Sequence, residues 1–85
     1  MSEREAEVLA EIRRLAAADL RIGFPVEPSH HLVRDLKLDS VGALTLAVAL
    51  EDRFRVLLSD RDAAEVETVG DLVRLVARRA EQDTP

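Results

Sequence analysis

The chain has 85 residues, the length of one domain around one core. Seventeen Asp and Glu against twelve Lys and Arg give a net charge of −5; this disfavours nucleic acid and anionic membrane surfaces as partners and suits a protein with a basic patch. Cysteine is absent and Phe24 and Phe54 are the only aromatic residues, which excludes disulfides, thiolate metal sites and a cysteine nucleophile and leaves a core of Leu, Val, Ile and Ala, the material of packed helices.

No apolar run approaches the roughly 20 residues of a membrane span, and the N-terminus has no apolar signal core. The expected location is the cytoplasm.

In chain order, the spacing predicts a first helix over 1–20. Ser2 and Glu5 form an S-x-x-E capping box. Val8, Ile12 and Leu15 recur at helical spacing, flanked by Leu9, Ala16 and Leu20. Residues 21–39 follow as a long connection punctuated by Gly23, Pro25 and Pro28. Its apolar residues, Phe24, Val26, Leu32, Val33, Leu36 and Leu38, argue that it is ordered and packs on the bundle.

A second helix is predicted from Ser40 to Phe54, capped by Asp39 or Ser40. It carries two apolar stripes. Leu46, Ala47, Leu50 and Phe54 form one, and Val41, Leu44 and Val48 the other. One buried stripe suffices in a small bundle, so the second is core of a wider interface or a surface for a partner. Ser59 with Asp62 marks a short helix over about 60–66. Thr68 with Asp71 opens the last helix, which is expected to run to about Ala80 with Val69, Leu72, Val73 and Val76 inward. Arg74, Arg78 and Arg79 suit its negative end, and a frayed tail over 81–85 is expected. The expected fold is all-α: three main helices, one short helix and a long ordered first loop, in a single domain over 1–85.

Few residues offer chemistry. His30 and His31 are adjacent in the loop, and no further ligands stand at metal-site spacing, so they read as surface histidines and no metal is expected. The segment Asp35-Leu36-Lys37-Leu38-Asp39-Ser40-Val41 is less ordinary. Its simplest reading is an N-cap. A helix start also offers unpaired N–H groups and a positive dipole end, which favour a phosphate ester on a serine there. The adjacent Asp39 carboxylate is suited to help hold a divalent cation during phosphate transfer.

Residues 35–54, DLKLDSVGALTLAVALEDRF, closely resemble the modification segment of acyl carrier proteins. In that family an Asp-Ser-Leu motif opens the second helix, and Asp39-Ser40-Val41 matches it with Val for Leu. Ser59-Asp60-Arg61-Asp62-Ala63 and Thr68-Val69-Gly70-Asp71-Leu72 resemble the family's openings of its third and fourth helices. The resemblance implies that Ser40 receives 4′-phosphopantetheine from coenzyme A, delivered by a phosphopantetheinyl transferase that recognises Asp39 and uses Mg²⁺. The thiol of that arm would carry acyl groups as thioesters between the enzymes of a fatty acid, polyketide or related pathway, and the protein itself would catalyse nothing.

By the same resemblance, Leu46, Ala47, Leu50, Phe54, Leu58, Ala63 and Val66 would line a cargo cavity. Val41, Leu44 and Val48, with Glu51 and Asp52, would dock on acyl-loading and acyl-processing enzymes through their basic patches, the carrier acting as a monomer. Carriers of primary fatty acid synthesis usually have acids at the positions of Gly42 and Thr45, so this chain reads as a specialised carrier with its own enzymes. Three other readings remain open at this point. A peptidyl or D-alanyl carrier would use the same serine and arm. An unmodified helical interaction module would use Ser40 only as a cap. A small hydrolase would need a triad that the sequence does not display.

Overall fold

The computed structural model describes residues 1–82. Four helices follow in order: α1 (Glu3–Ala18), α2 (Ser40–Phe54), α3 (Asp60–Glu65) and α4 (Val69–Gln82). The only extended pairing among the described residues is an isolated antiparallel bridge between His31 and Thr68.

α1 starts as the capping box requires. The Ser2 hydroxyl accepts from the Glu5 N–H at 3.1 Å, and the Glu5 carboxylate accepts from the Ser2 N–H at 2.9 Å. Its buried stripe is Val8, Leu9, Ile12, Leu15 and Ala16. The helix stops at Ala18, short of the expected Leu20. The Ile22 N–H reaches back to the Ala16 carbonyl at 2.8 Å, a closing bond that sets Arg21 in the left-handed region at φ 55°. α1 packs chiefly on α4 and more lightly on α2. Val69, Val73 and Val76 of α4 and Leu50 of α2 are fully enclosed against it.

The long connection is ordered, as its composition implies, but it is only partly a packing element. Val26 and Leu36 are buried and Leu32 and Leu38 half-buried, whereas Phe24 and Val33 stay exposed, the former edge-on to the His30 ring. Backbone bonds fasten it. Leu32 donates to the Glu67 carbonyl at 2.9 Å, Val69 to the His30 carbonyl at 2.9 Å and Gly70 to the Pro28 carbonyl at 2.8 Å. Gly70 permits this approach, because a Cβ there would stand 3.2 Å from the Pro28 oxygen. On the other side, Arg13 of α1 donates to the Val26 carbonyl at 2.7 Å.

The two histidines are part of this fastening. His30 Nδ1 accepts from the Glu27 N–H at 3.0 Å. His31 caps the tight turn 32–37: its Nδ1 accepts from the Val33 and Arg34 N–H groups at 3.2 and 3.1 Å, and its own N–H donates to the Asp35 carboxylate at 2.6 Å. The turn closes with Leu38 N–H on the Leu32 carbonyl and Lys37 at φ 59°. Reading them as plain surface histidines therefore misses their work: His30 ties the loop at Glu27, and His31 caps the turn 32–37 with imidazole in place of a hydroxyl or carboxylate.

α3 lies apart, and its backbone comes within 8 Å of no other helix. Ser59 and Asp62 make the expected box, and Asp62 also fastens α3 to α4. Its two oxygens accept from the Arg79 guanidinium at 2.8 and 3.0 Å, and Arg79 donates as well to the Leu57 carbonyl at 3.0 Å. Val66 is extended and ends this helix one residue early. α4 continues two residues past the expected Ala80. Glu81 and Gln82 are helical where a frayed tail was anticipated, and residues 83–85 of that tail lie outside the described ones.

The Ser59 N–H and the Arg79 guanidinium hold the Asp62 carboxyl down to about 2 from its ordinary 3.8. A folded-state value below the unfolded one contributes stability that is complete above 3.8 and lost as pH falls through about 2. Asp62→Asn is expected to lower the thermal midpoint at neutral pH and to flatten the acid limb of stability over that window, measured by circular dichroism melts against pH. An acid limb of unchanged slope in the variant would show that the pair does not hold α3.

Candidate functional site

Asp39 caps α2. Its Oδ1 accepts from the Gly42 N–H at 2.7 Å, and its extended backbone turns the chain into the helix. Ser40 is therefore the first helical residue. It is exposed, and its hydroxyl makes no hydrogen bond among the described residues. The N–H groups of Ser40 and Val41 also have no acceptor among them, while those of Gly42 and Ala43 are satisfied by Asp39. A free hydroxyl beside two free amides at the positive end of a helix is a fitting place for a phosphate ester.

Gly42 belongs to this arrangement. A Cβ there would stand 3.3 Å from both the Asp39 carboxylate and the Leu38 side chain, so the cap and the preceding loop close tightly over it. The helix accepts the propensity cost of glycine, about 0.5–1 kcal/mol, at a position where a larger residue would crowd the cap.

Beside Ser40 opens a cavity of about 530 Å³ between α2, α3, the first loop and α4. Five of the seven residues expected to line it do so: Leu46, Ala47, Leu58, Ala63 and Val66. Leu50 and Phe54 do not. Leu50 is wholly enclosed and Phe54 buried in the core, because the helix turns those two positions toward α1 and α4. The sequence reading missed the opposite wall, where the first loop supplies His31, Leu32, Val33 and Leu38. The loop's apolar residues were the available signal, but nothing in their spacing says which face they cover.

The second stripe of α2 is open. Val41, Leu44 and Val48 are 72%, 65% and 52% exposed, and Leu44 also stands on the cavity wall. Of the two expected acids, Asp52 is exposed. Glu51 is half-buried and turned inward, its Oε2 accepting from the Leu58 N–H at 2.8 Å on the cavity wall. The first turn of α2 carries no acid, and the Thr45 hydroxyl is bonded to the Val41 carbonyl at 2.8 Å. The free part of this face is apolar and nearly uncharged through its first two turns.

A small helical bundle that sets an unengaged serine at a helix start, beside an apolar cavity, has the form of a carrier for a tethered group. A family model described as the phosphopantetheine attachment site matches residues 10–76. The chain belongs to that family, the acyl carrier proteins, and its cofactor is covalently bound 4′-phosphopantetheine. It is 31% identical over 78 residues to the meromycolate extension acyl carrier protein of Mycolicibacterium aurum, covering 92% of this chain and 74% of that one. A Mycobacterium tuberculosis structure described as an acyl carrier protein is 36% identical, with a TM-score of 0.72 over 88% of this chain and 96% of that one. The acyl carrier protein of Thermotoga maritima, at 20% identity, shares the fold with a TM-score of 0.80 over 96% of each chain. The family works with phosphopantetheinyl transferases and acyl-processing enzymes.

The cap and the hydroxyl are separable. Asp39→Ala removes the capping bond and is expected to cost about 1 kcal/mol, whereas Ser40→Ala is expected to stay within about 0.5 kcal/mol of the parent, both measured by urea denaturation. A loss at Ser40→Ala as large as at Asp39→Ala would mean that the serine does the capping.

Proposed function

We propose that Ser40 is the attachment point of the arm. The observation that carries this reading is the free Ser40 hydroxyl at the start of α2, next to two unsatisfied N–H groups and at the edge of the cavity. The arm, once attached, supplies a terminal thiol for thioester chemistry, which this cysteine-free chain lacks.

The chain's own residues present and shelter. Asp39 fixes the first turn so that Ser40 faces outward, and its carboxylate is what the transferase recognises beside the serine. Leu46, Ala47, Leu58, Ala63 and Val66 give the cargo an apolar wall. Val41, Leu44 and Val48 form the docking patch, with Asp52 as the acid at its far end. Glu51 contributes there less, since its carboxylate is held by Leu58.

The protein is a carrier that catalyses nothing itself. In this reading it works as a single domain and a monomer in the cytoplasm, with partners whose docking sites are basic at the rim. One contiguous core joins α1, α2, α4 and the first loop, and none of the described helices is long and apolar enough to cross a membrane. The neutral first half of α2, together with relatives named for meromycolate extension, supports a carrier dedicated to its own acyl-building enzymes.

The test is intact mass after incubation with coenzyme A, Mg²⁺ and a broad-specificity phosphopantetheinyl transferase. The parent chain is expected to gain one phosphopantetheine and Ser40→Ala none. A folded parent that gains nothing, or a Ser40→Ala variant that still gains the arm, would overturn the assignment.

A further inference from the structure

The stripe Val41, Leu44 and Val48 does not end with its apolar residues. Continued at helical spacing, the row takes in Asp52 and Arg55. All five positions are exposed, whereas Leu46, Leu50 and Phe54 on the inner side are buried. Arg55 still belongs to the helix through its N–H, which donates to the Glu51 carbonyl, and then turns the chain out of it at φ 56°. The backbone beyond is fixed. The Val56 N–H donates to the same carbonyl at 3.2 Å, the Leu58 N–H to the Glu51 carboxylate at 2.8 Å, and the Leu57 carbonyl accepts from Arg79 at 3.0 Å. The other base of this helix is occupied: the Arg53 guanidinium lies over the Phe54 ring, 5.1 Å from its centre. The side chains of Asp52 and Arg55 have no ion pair or hydrogen bond among the described residues, with each other or with any third group.

We propose that Arg55 selects the partners of this carrier: the protein that docks on α2 presents a carboxylate to Arg55, at the far end of an apolar site for Val41, Leu44 and Val48. The inference rests on the reading of that stripe as the docking patch and adds the chemistry of the partner's rim. Charge complementarity carries it. α2 has no acid before Glu51, and Glu51 is engaged by the Leu58 N–H. The two free charges of the row, Asp52 and Arg55, are opposite in sign and lie within one turn of each other. A partner rim that is basic throughout would suit Asp52 but set like charge against Arg55, which costs affinity and slows encounter. A rim with a base at Asp52 and an acid at Arg55 satisfies both and sets the direction in which the helix lies on the partner. Arg55 thus favours one kind of partner and rejects enzymes built for uniformly acidic carriers.

The probe is a ketoacyl synthase chosen for a basic docking rim, used in its native form and with each rim Lys or Arg replaced in turn by Glu. Isothermal titration at low and high salt measures its affinity for the phosphopantetheine-loaded parent, Arg55→Glu and Arg55→Gln. Arg55→Glu is expected to bind the native synthase about fivefold more tightly than the parent does, the upper end for an exposed ion pair, with Arg55→Gln between them. At least one reversed synthase is expected to show the opposite order by a similar factor and to bind the parent more tightly than the native synthase does. These differences are expected to shrink at high salt. Equal affinity of parent and variants for the native synthase, or no reversed synthase that prefers the parent, would overturn the inference. Should the Arg55 variants fold poorly, the parent's preference between native and reversed synthases decides it.

Val48→Asp separates this inference from the reading beneath it, and is expected to weaken binding to every form of the synthase. If it does so while the Arg55 variants bind like the parent, the inference alone falls. If it too binds like the parent, the docking reading of α2 falls with it. Sedimentation at increasing concentration tests a second copy of the chain as the occupant. The parent is expected to stay monomeric, and self-association that Arg55→Glu abolishes would overturn the inference.

Discussion

The position of Ser40 depends on three backbone hydrogen bonds that join the first loop to the start of α4: Leu32 to Glu67, Val69 to His30 and Gly70 to Pro28. Without them residues 21–39 would be a tether between two helices. With them the loop becomes a wall, one face on the bundle through Val26 and Leu36 and the other on the cavity through Leu32 and Leu38. The same bonds fix where α2 begins, because turn 32–37 delivers the chain directly into the Asp39 cap. Gly70 suits this contact, since a Cβ there would stand 3.2 Å from the Pro28 oxygen and oblige that carbonyl to give way by a few tenths of an ångström.

The opposite side of the cavity is held differently. α3 has no close backbone neighbour, and the Asp62–Arg79 pair links it to α4. One wall is therefore backbone-bonded and the other is hung on an ion pair and a few half-buried side chains, Leu58 and Val66 among them. Local opening is drawn from regions with few buried contacts, which makes α3 the more readily opened side of the cavity. The exposed stripe of α2 meets the cavity at Leu44. That one residue is open to solvent and also stands on the cavity wall.

Much of this was legible in the sequence. The hydroxyl–acid pairs at Ser2, Ser59 and Thr68 mark helix starts because the bond they make is local, between residues three apart. The stripe of α1 and the inward residues of α4 follow from helical periodicity in the same local way. What could not be read was long-range. The spacing of Leu50 and Phe54 matches that of Leu46, and only the packing of α2 against α1 and α4 decides that two of them enter the core while Leu46 also reaches the cavity. The inward turn of Glu51 depends on the Leu58 N–H seven residues away. The work of His30 and His31 was missed because imidazole is an uncommon cap, and its role appears only when Nδ1 is seen against the N–H groups of its own turn. The end of α1 moved for a related reason: Arg21, and not a glycine, takes the left-handed conformation that closes it, so the usual stop signal is absent from the sequence.

Amide hydrogen exchange at Leu32, Val69 and Gly70 tests most directly whether the loop is a bonded wall that presents Ser40. The account predicts protection at these three amides comparable to that of Val73 and Val76 in the core of α4, lost only with global unfolding. Exchange as fast as at Gly23 and Phe24 would contradict it, and would make the first loop a tether rather than the element that positions the serine.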